Sequence, residues 1–346
     1  MLADKHVEEI KGHLNKAQNP IFFFDNDPDG LCSFLLLQRW IKRGRGIAIK
    51  SFPDLIKGYF RKITELNADY IFILDKPEVS SEFLEEVNKF NIPVVWIDHH
   101  KIDKTKVPEF VNYFNPVFND TPTNEPVTAL CYQITQDKKD LWLAMAGCIS
   151  DKFVPNYYGG FCNVYPDLSI NSEDAFEIFY TARIGRIARM FSFALKDTTT
   201  NVVKMLKFLM KVRTPYEVLE ECSANYSMHQ RFNYIDKKYQ KFLQKAKEVG
   251  ENCGKVLFFQ YGGDLSISSD LSNELSFLFP KKIIVVIYPT GGYANISIRG
   301  KNIRESVLKV LSELEGATGG GHESAVGARI KLEDVEKFKK NFESFV

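Results

Sequence analysis

The sequence lacks the marks of several protein classes. No stretch approaches the ~18 consecutive apolar residues of a membrane span. Its six cysteines, Cys32, Cys131, Cys148, Cys162, Cys222 and Cys253, are scattered with no Cys-x-x-Cys pair. That spacing argues against a zinc knuckle or a disulfide framework and leaves them as reduced core residues. An excess of one charge is missing too: 45 basic residues stand against 44 acidic ones. No global field therefore selects a polyanion, and a basic groove would have to be local. Internal repeats and low-complexity segments are also absent. The opening MLADKHVEEIKGHLNKAQ reads as a charged amphipathic helix rather than a signal peptide. The expectation is a soluble, cytoplasmic protein. Its 346 residues are enough for two domains with a substantial core.

What is present is concentrated in Pro20 to Ser33, PIFFFDNDPDGLCS. Ile21 to Phe24 has the length and aromatic content of a strand buried on both faces, as in a parallel sheet under helices. Asp25, Asp27 and Asp29 follow at alternate positions, where Pro28 and Gly30 mark a tight turn. Asp-Pro and Asp-Gly alone are ordinary turn and N-cap chemistry. At the carboxyl end of a strand, however, three like charges repel unless a cation neutralises them, most simply a metal ion.

The rest of the first half repeats this arrangement. Leu31 to Arg43 reads as an amphipathic helix, and a second strand is expected near Ile47 to Phe52. YIFILD makes Tyr70 to Leu74 a third buried strand with Asp75 at its end. A helix from about Ser80 to Phe90 feeds a fourth, Pro93 to Ile97, which delivers Asp98, His99 and His100. Three strands ending in metal-ligand side chains exceed what helix capping requires. Adjacent His99 and His100 point in different directions, so one can ligate while the other faces substrate. FVNYFNP is expected as a fifth strand, followed by a helix through Val127 to Thr135. The apolar helix of DLWLAMAGCISDKF then reaches Asp151.

From about Ser172 to Val249 the chain reads as all helix, its last member long, increasingly charged and suited to bridge two domains. His229 is expected on that helix surface rather than as a ligand. From Lys255 the period changes. KVLFFQY, KKIIVVIY and YANISIR read as strands, with helices over Asp270 to Phe279 and IRESVLKVLSELE. A glycine-rich loop, GATGGGHESAVGARI, precedes a closing helix. In that loop Gly319, Gly320 and Gly321 offer exposed amides for an anionic group, with His322 projecting into the same space.

The series DNDPDG, ILDKP, IDHH and GCISD resembles motifs one to four of the DHH phosphoesterase superfamily, in order. GGGH, with Ser297-Ile298-Arg299 upstream, resembles the DHHA1 substrate-binding domain. The implied fold is α/β: a doubly wound, mainly parallel sheet over 1–213, a helical connector over 214–250, and a smaller α/β DHHA1 domain over 251–346, with the active site in the cleft between. The resemblance implies Mn²⁺, with Mg²⁺ as the alternative, in two ions about 3.5–4 Å apart. Asp25, Asp27 and Asp75 would hold one ion, and Asp29, Asp75, His99 and Asp151 the other, with Asp75 as the bridge. Asp98 would orient a histidine from behind, and His100 would face the substrate phosphate. Arg299 would grip a phosphate in fork geometry, with Ser297 beside it, and the Gly319 to His322 loop would bind the scissile phosphate or its neighbour.

The D-x-D-x-D-G run, with Asp25 where the oligoribonuclease-like branch carries histidine, is most similar to the RecJ-like exonucleases. Cys148 stands where threonine is common. Compared with bacterial RecJ the sequence leaves no room after Val346 for an OB-fold, so the compact archaeal RecJ-like nucleases are the expected likeness. The expected substrate is single-stranded DNA or RNA, shortened from an end to mononucleotides. Analogy with the short archaeal relatives points to 3′ to 5′ polarity. Two other readings stand beside it. One keeps the chemistry but takes very short oligonucleotides, cyclic dinucleotides or a small nucleotide; the other is a replication or repair scaffold, against which the retained ligands speak. An active nuclease could also dock on a helicase or replisome component.

Overall fold

The computed structural model describes residues 1–50 and 55–345. The chain divides into two compact units, Met1–Phe232 and Asn233–Val346. In the first, α1 (Asp4–Lys16) leads to β1 (Pro20–Asp25), α2 (Pro28–Ile41), β2 (Arg45–Ile49), α3 (Phe60–Glu65), β3 (Tyr70–Leu74), α4 (Ser81–Lys89), β4 (Val94–Ile97) and β5 (Val111–Phe114). The five strands are all parallel, in the order β2-β1-β3-β4-β5. In this doubly wound order the crevice for a ligand opens at the carboxyl ends of β1 and β3, where successive connections leave in opposite directions.

β1 shows why an unbroken apolar run makes a central strand. Its side chains alternate between two buried faces. Ile21 and Phe23 pack with Ile63, Phe83, Leu84 and Val87 of α3 and α4. Phe22 and Phe24 turn to the other side, where both rings meet Phe34 of α2, with Phe24 stacked at 5.1 Å. The same side carries α5 (Val127–Thr135) and α6 (Leu141–Ser150), both packed on α2. The rest of this unit is helical: α7 (Tyr158–Val164), α8 (Ala175–Thr181), α9 (Arg183–Leu195), α10 (Thr199–Leu209), α11 (Pro215–Leu219) and the start of α12 (Tyr226–Asn252).

The second unit holds the remainder of α12, then β6 (Val256–Gln260), α13 (Ser268–Leu278), β7 (Ile283–Thr290), β8 (Tyr293–Arg299), α14 (Arg304–Ser312), β9 (Thr318–His322), β10 (Ala325–Lys331) and α15 (Val335–Phe345). Its sheet is mixed, ordered β6-β7-β8-β10-β9, with only β6 and β7 parallel. One face buries Val285, Ile287, Ile296, Ile298 and Val326 against α14 and α15 through Val307, Val310, Phe338 and Phe342. α13 packs on β7 and β8.

Several expectations are corrected. β2 begins at Arg45 rather than Ile47, and Phe52 lies outside the described residues. As an edge strand with partly exposed positions, β2 needs no large apolar residue where its pairing begins. The last long helix is interrupted between α11 and α12. The buried Asn225 side chain accepts from the Cys222 amide (2.8 Å) and donates to the Glu217 (3.0 Å) and Glu220 (2.8 Å) carbonyls, closing a corner that helical periodicity does not reveal. His229 is buried rather than on the surface, and its Nε2 donates to the Val218 carbonyl at 2.9 Å. The glycine triplet lies in a strand, β9, rather than a loop. Of the cysteines, which are all free, Cys32, Cys131 and Cys148 are buried; Cys162 and Cys253 are half-buried and Cys222 is exposed. No helix among the described residues is long and apolar enough to cross a membrane.

Candidate metal centre

The ends of β1, β3 and β4 and the C-terminus of α6 bring their polar side chains to one place. At β1 the chain must turn directly into α2. Gly30 permits this, because a Cβ there would lie 2.5 Å from the Asp25 carbonyl oxygen. Asp27 is the N-cap of α2, its Oδ1 accepting from the Gly30 amide at 2.9 Å. Asp29 reaches the next helix instead. Its two oxygens accept from the Val127 (3.0 Å) and Thr128 (2.7 Å) amides, binding the carboxylate to the N-terminus of α5. Asp25 accepts at Oδ1 from the ammonium of Lys76 at 3.1 Å.

Asp75 follows β3 in the left-handed region (φ 59°), a conformation Asp tolerates better than bulkier residues and one concentrated at functional sites. Its amide donates to Ile97. Its Oδ1 is buried without a hydrogen-bond partner, as is Nδ1 of His99. His99 Nε2 lies 3.4 Å from that Asp75 oxygen and 4.0 Å from Oδ2 of Asp151, which is half-exposed at the C-terminus of α6. Among the described residues, two groups of three side chains have potential ligand atoms within 4.8 Å of one another: Asp75, His99 and His100, and Asp29, His99 and Asp151. Asp25 and Asp27 belong to neither.

His100 is held from behind. Its Nδ1 is 2.8 Å from Oδ1 of the fully buried Asp98, whose other oxygen accepts from Tyr113 Oη at 3.2 Å. Asn115 donates to both the His100 carbonyl and Tyr113 Oη at 2.8 Å. Burial opposes charge on His100, but the hydrogen bond and charge of Asp98 outweigh it and raise its pKa.

Crowding several carboxylates around the one ammonium of Lys76 has the expected consequence. Burial, reinforced by the charges of Asp25 and Asp29, pushes Asp27 up to about 8. Burial and the charge of Asp151 push Asp29 up to about 6. Asp75 is raised well above the usual carboxylate range, first by burial and then by Asp29, Asp27, Asp25 and Asp151. A divalent cation reverses each of these effects. The orphaned Asp75 oxygen and the mixed carboxylate and imidazole donor set fit Mn²⁺ or Mg²⁺.

Family models match both halves of the chain: the DHH family N-terminal domain over residues 21–149 and the DHHA1 domain over residues 252–346. The chain belongs to the DHH/DHHA1 superfamily of phosphoesterases. Among solved structures, RecJ from Thermus thermophilus in complex with Mn²⁺ superposes with a TM-score of 0.69 at 14% identity, over 99% of this chain and 54% of that one. This DHH protein thus spans about half the length of the Thermus chain. A manganese-bound exonuclease RecJ gives 0.66 at 15% identity, covering 100% of this chain and 94% of that one. A pGpG-specific phosphodiesterase from Vibrio cholerae gives 0.51 at 14%, covering 95% and 99%. At these identities the likeness is one of fold. No curated protein sequence matches the chain.

The predicted residues of the second unit form a group of their own. Strand register aligns Arg299 of β8, Ala325 of β10 and His322 of β9 in one row, and Ser297, Gly327 and Gly320 in the next row on that face. Two strand spacings separate Arg299 from His322, about 10 Å. The Arg299 guanidinium is fixed by Asn273 Oδ1 (2.7 Å) and Ser269 Oγ (3.1 Å) of α13, and Ser297 Oγ donates to Ser268 Oγ at 3.1 Å. Arg304 Nε donates to the Gly321 carbonyl at 3.0 Å.

Sequence reasoning passed over Lys76, Tyr113 and Asn115. Lys76 was legible as a cation directly after a strand-end carboxylate. Tyr113 and Asn115 look like ordinary strand and turn residues, and only the pairing of β5 with β4 brings them to Asp98.

Proposed function

We propose that this protein is a metal-dependent phosphodiesterase that hydrolyses single-stranded DNA or RNA from an end, releasing mononucleotides. The observation that carries the reading is the buried Asp75 oxygen, which has no hydrogen-bond partner and groups with His99 and His100, while His99 also groups with Asp29 and Asp151. When bound there, Mn²⁺ or Mg²⁺ supplies a nucleophile from water at neutral pH and a counter-charge for the phosphate oxygens. Asp98 orients His100 so that its Nε2 is left for the substrate phosphate or for a proton at the leaving oxygen. Asp29 and Asp27 position the start of their helices through backbone amides as well as contributing charge.

In the second unit, the Arg299 guanidinium is held in a fixed orientation by Asn273, Ser269 and the Ile298 carbonyl, and it would bring a fixed positive charge to a substrate phosphate. Gly320 and Gly327 leave the sheet surface beside it bare, with open space where a Cβ would stand. A sugar-phosphate backbone can approach such a strip closely, with His322 at its edge.

The test is cleavage of DNA and RNA ladders from the dinucleotide to about thirty nucleotides, end-labelled, in Mn²⁺ and in chelator. Stepwise shortening of the long strands supports the reading, and the label that is lost first gives the polarity. The similarity in fold and length to the Vibrio phosphodiesterase favours a second reading, a dinucleotide or short-oligonucleotide substrate. Cleavage confined to the shortest rungs would select it. No cleavage in Mn²⁺ would reject both.

A further inference from the structure

Lys76 is the most deeply buried cation at the carboxyl ends of the parallel strands. Its side chain is 1% exposed. The backbone leaves it little choice of position. Asp75 turns the chain at φ 59° and is anchored by Ile97, the Trp96 indole donates to the Lys76 carbonyl at 2.9 Å, and Pro77 restricts Lys76 to extended conformations. From β3 the side chain passes to the end of β1, placing its ammonium 3.1 Å from Asp25 Oδ1 and 3.4 Å from the Lys50 carbonyl just after β2.

An ammonium held this far from water is costly unless a carboxylate compensates it, and Asp25 does. The same carboxylate belongs to the triad Asp25, Asp27 and Asp75 that would hold one of two divalent ions. Asp27 meanwhile caps α2, and among the described residues neither Asp25 nor Asp27 joins a group with ligand spacing. The other triad differs: Asp29, His99 and Asp151 converge, with the unpartnered Asp75 oxygen 3.4 Å from His99. One carboxylate of the first triad is therefore already paired with a side-chain cation, whereas the second triad calls for an ion.

We propose that the Lys76 ammonium stands in for one of the two divalent cations, so that the chain binds a single divalent ion through Asp29, Asp75, His99 and Asp151. This rests on the metal-centre reading above. Lys76 acts as a positioning residue: its ammonium, 3.1 Å from Asp25 Oδ1, neutralises the carboxylate that a second ion would need. A lysine carries one charge and no Lewis acidity, so water activation falls to the single ion and His100 becomes correspondingly more important.

The experiment is Mn²⁺ titration of the full chain after chelator treatment, with stoichiometry from calorimetry and the state of the ion from electron paramagnetic resonance. The native chain is expected to bind one Mn²⁺ with the spectrum of an isolated ion. Lys76→Met, whose unbranched side chain fills similar space, releases Asp25 and is expected to bind two, with the broadened spectrum of a coupled pair about 3.5–4 Å apart. Lys76→Arg keeps the charge and should remain at one. Two ions in the native chain, or one in a folded Lys76→Met as judged by circular dichroism, would overturn the inference while leaving the metal centre intact. Should Lys76→Met not fold, the native stoichiometry decides alone. A native chain that binds no ion removes the metal centre and this inference with it.

Discussion

Asp98 is a buried carboxylate with a defined task at each oxygen, one toward His100 and one toward Tyr113. Asp98→Asn keeps the shape but presents an amide to one of those partners, so the His100 ring loses its orientation. The expected result is a fall in turnover of about 10–100-fold with an unchanged melting temperature. A steady-state assay beside a thermal melt checks it, and unchanged turnover would remove His100 from the proposed chemistry. Arg299→Ala should act differently, weakening oligonucleotide binding while leaving Mn²⁺ affinity as it was. Its guanidinium is tied to Asn273 and Ser269 of α13.

At the scale of elements, β1 and α2 form the frame on which the site hangs. Phe23 is fully buried between the sheet and α4, in edge contact with Phe83. Phe23→Ala should cost about 3–5 kcal/mol in denaturant unfolding, because the surrounding strands cannot collapse into the vacated space. In the other sheet, Gly320 and Gly321 make a matched pair. A methyl at Gly321 would sit 2.3 Å from the Ala325 carbonyl oxygen at φ 141°, whereas at Gly320 it meets open space. Gly321→Ala should lower stability and Gly320→Ala should not; if the bare strip binds substrate, Gly320→Ala weakens binding all the same. Elements were legible wherever one physical signal dominated. The run Ile21 to Phe24 could only be a doubly covered strand, and α5 starts and ends where its periodicity places it. The Asn225 corner and the β9 strand escaped because side-chain turns and glycine-rich edge pairing leave no hydrophobic period.

Over the whole molecule, the cluster of acids makes stability depend on pH in an unusual direction. With metal removed, Asp27 and Asp29 ionise in the fold at about 8 and about 6, above the 3.8 of an ordinary aspartate. The folded state then holds more protons than the unfolded one, so this contribution is full below about pH 4 and is lost as pH rises through about 6 and 8. The melting temperature in chelator should fall across that window. In Mn²⁺ it should rise, since the ion requires the ionised carboxylates. Parallel slopes in the two buffers would contradict a metal at this cluster. The sequence revealed the cluster itself, because strand ends at a switch point must lie side by side. It could not reveal that Asp25 faces Lys76, since that contact joins the ends of two strands whose register only the folded sheet determines.

The most direct test of the central claim is Mn²⁺-dependent release of mononucleotides from a single-stranded oligonucleotide, by the native chain and by Asp75→Ala. The account predicts release by the native chain that stops in chelator, and a folded variant that neither binds Mn²⁺ nor cleaves. A folded Asp75→Ala that cleaves at the native rate would contradict it.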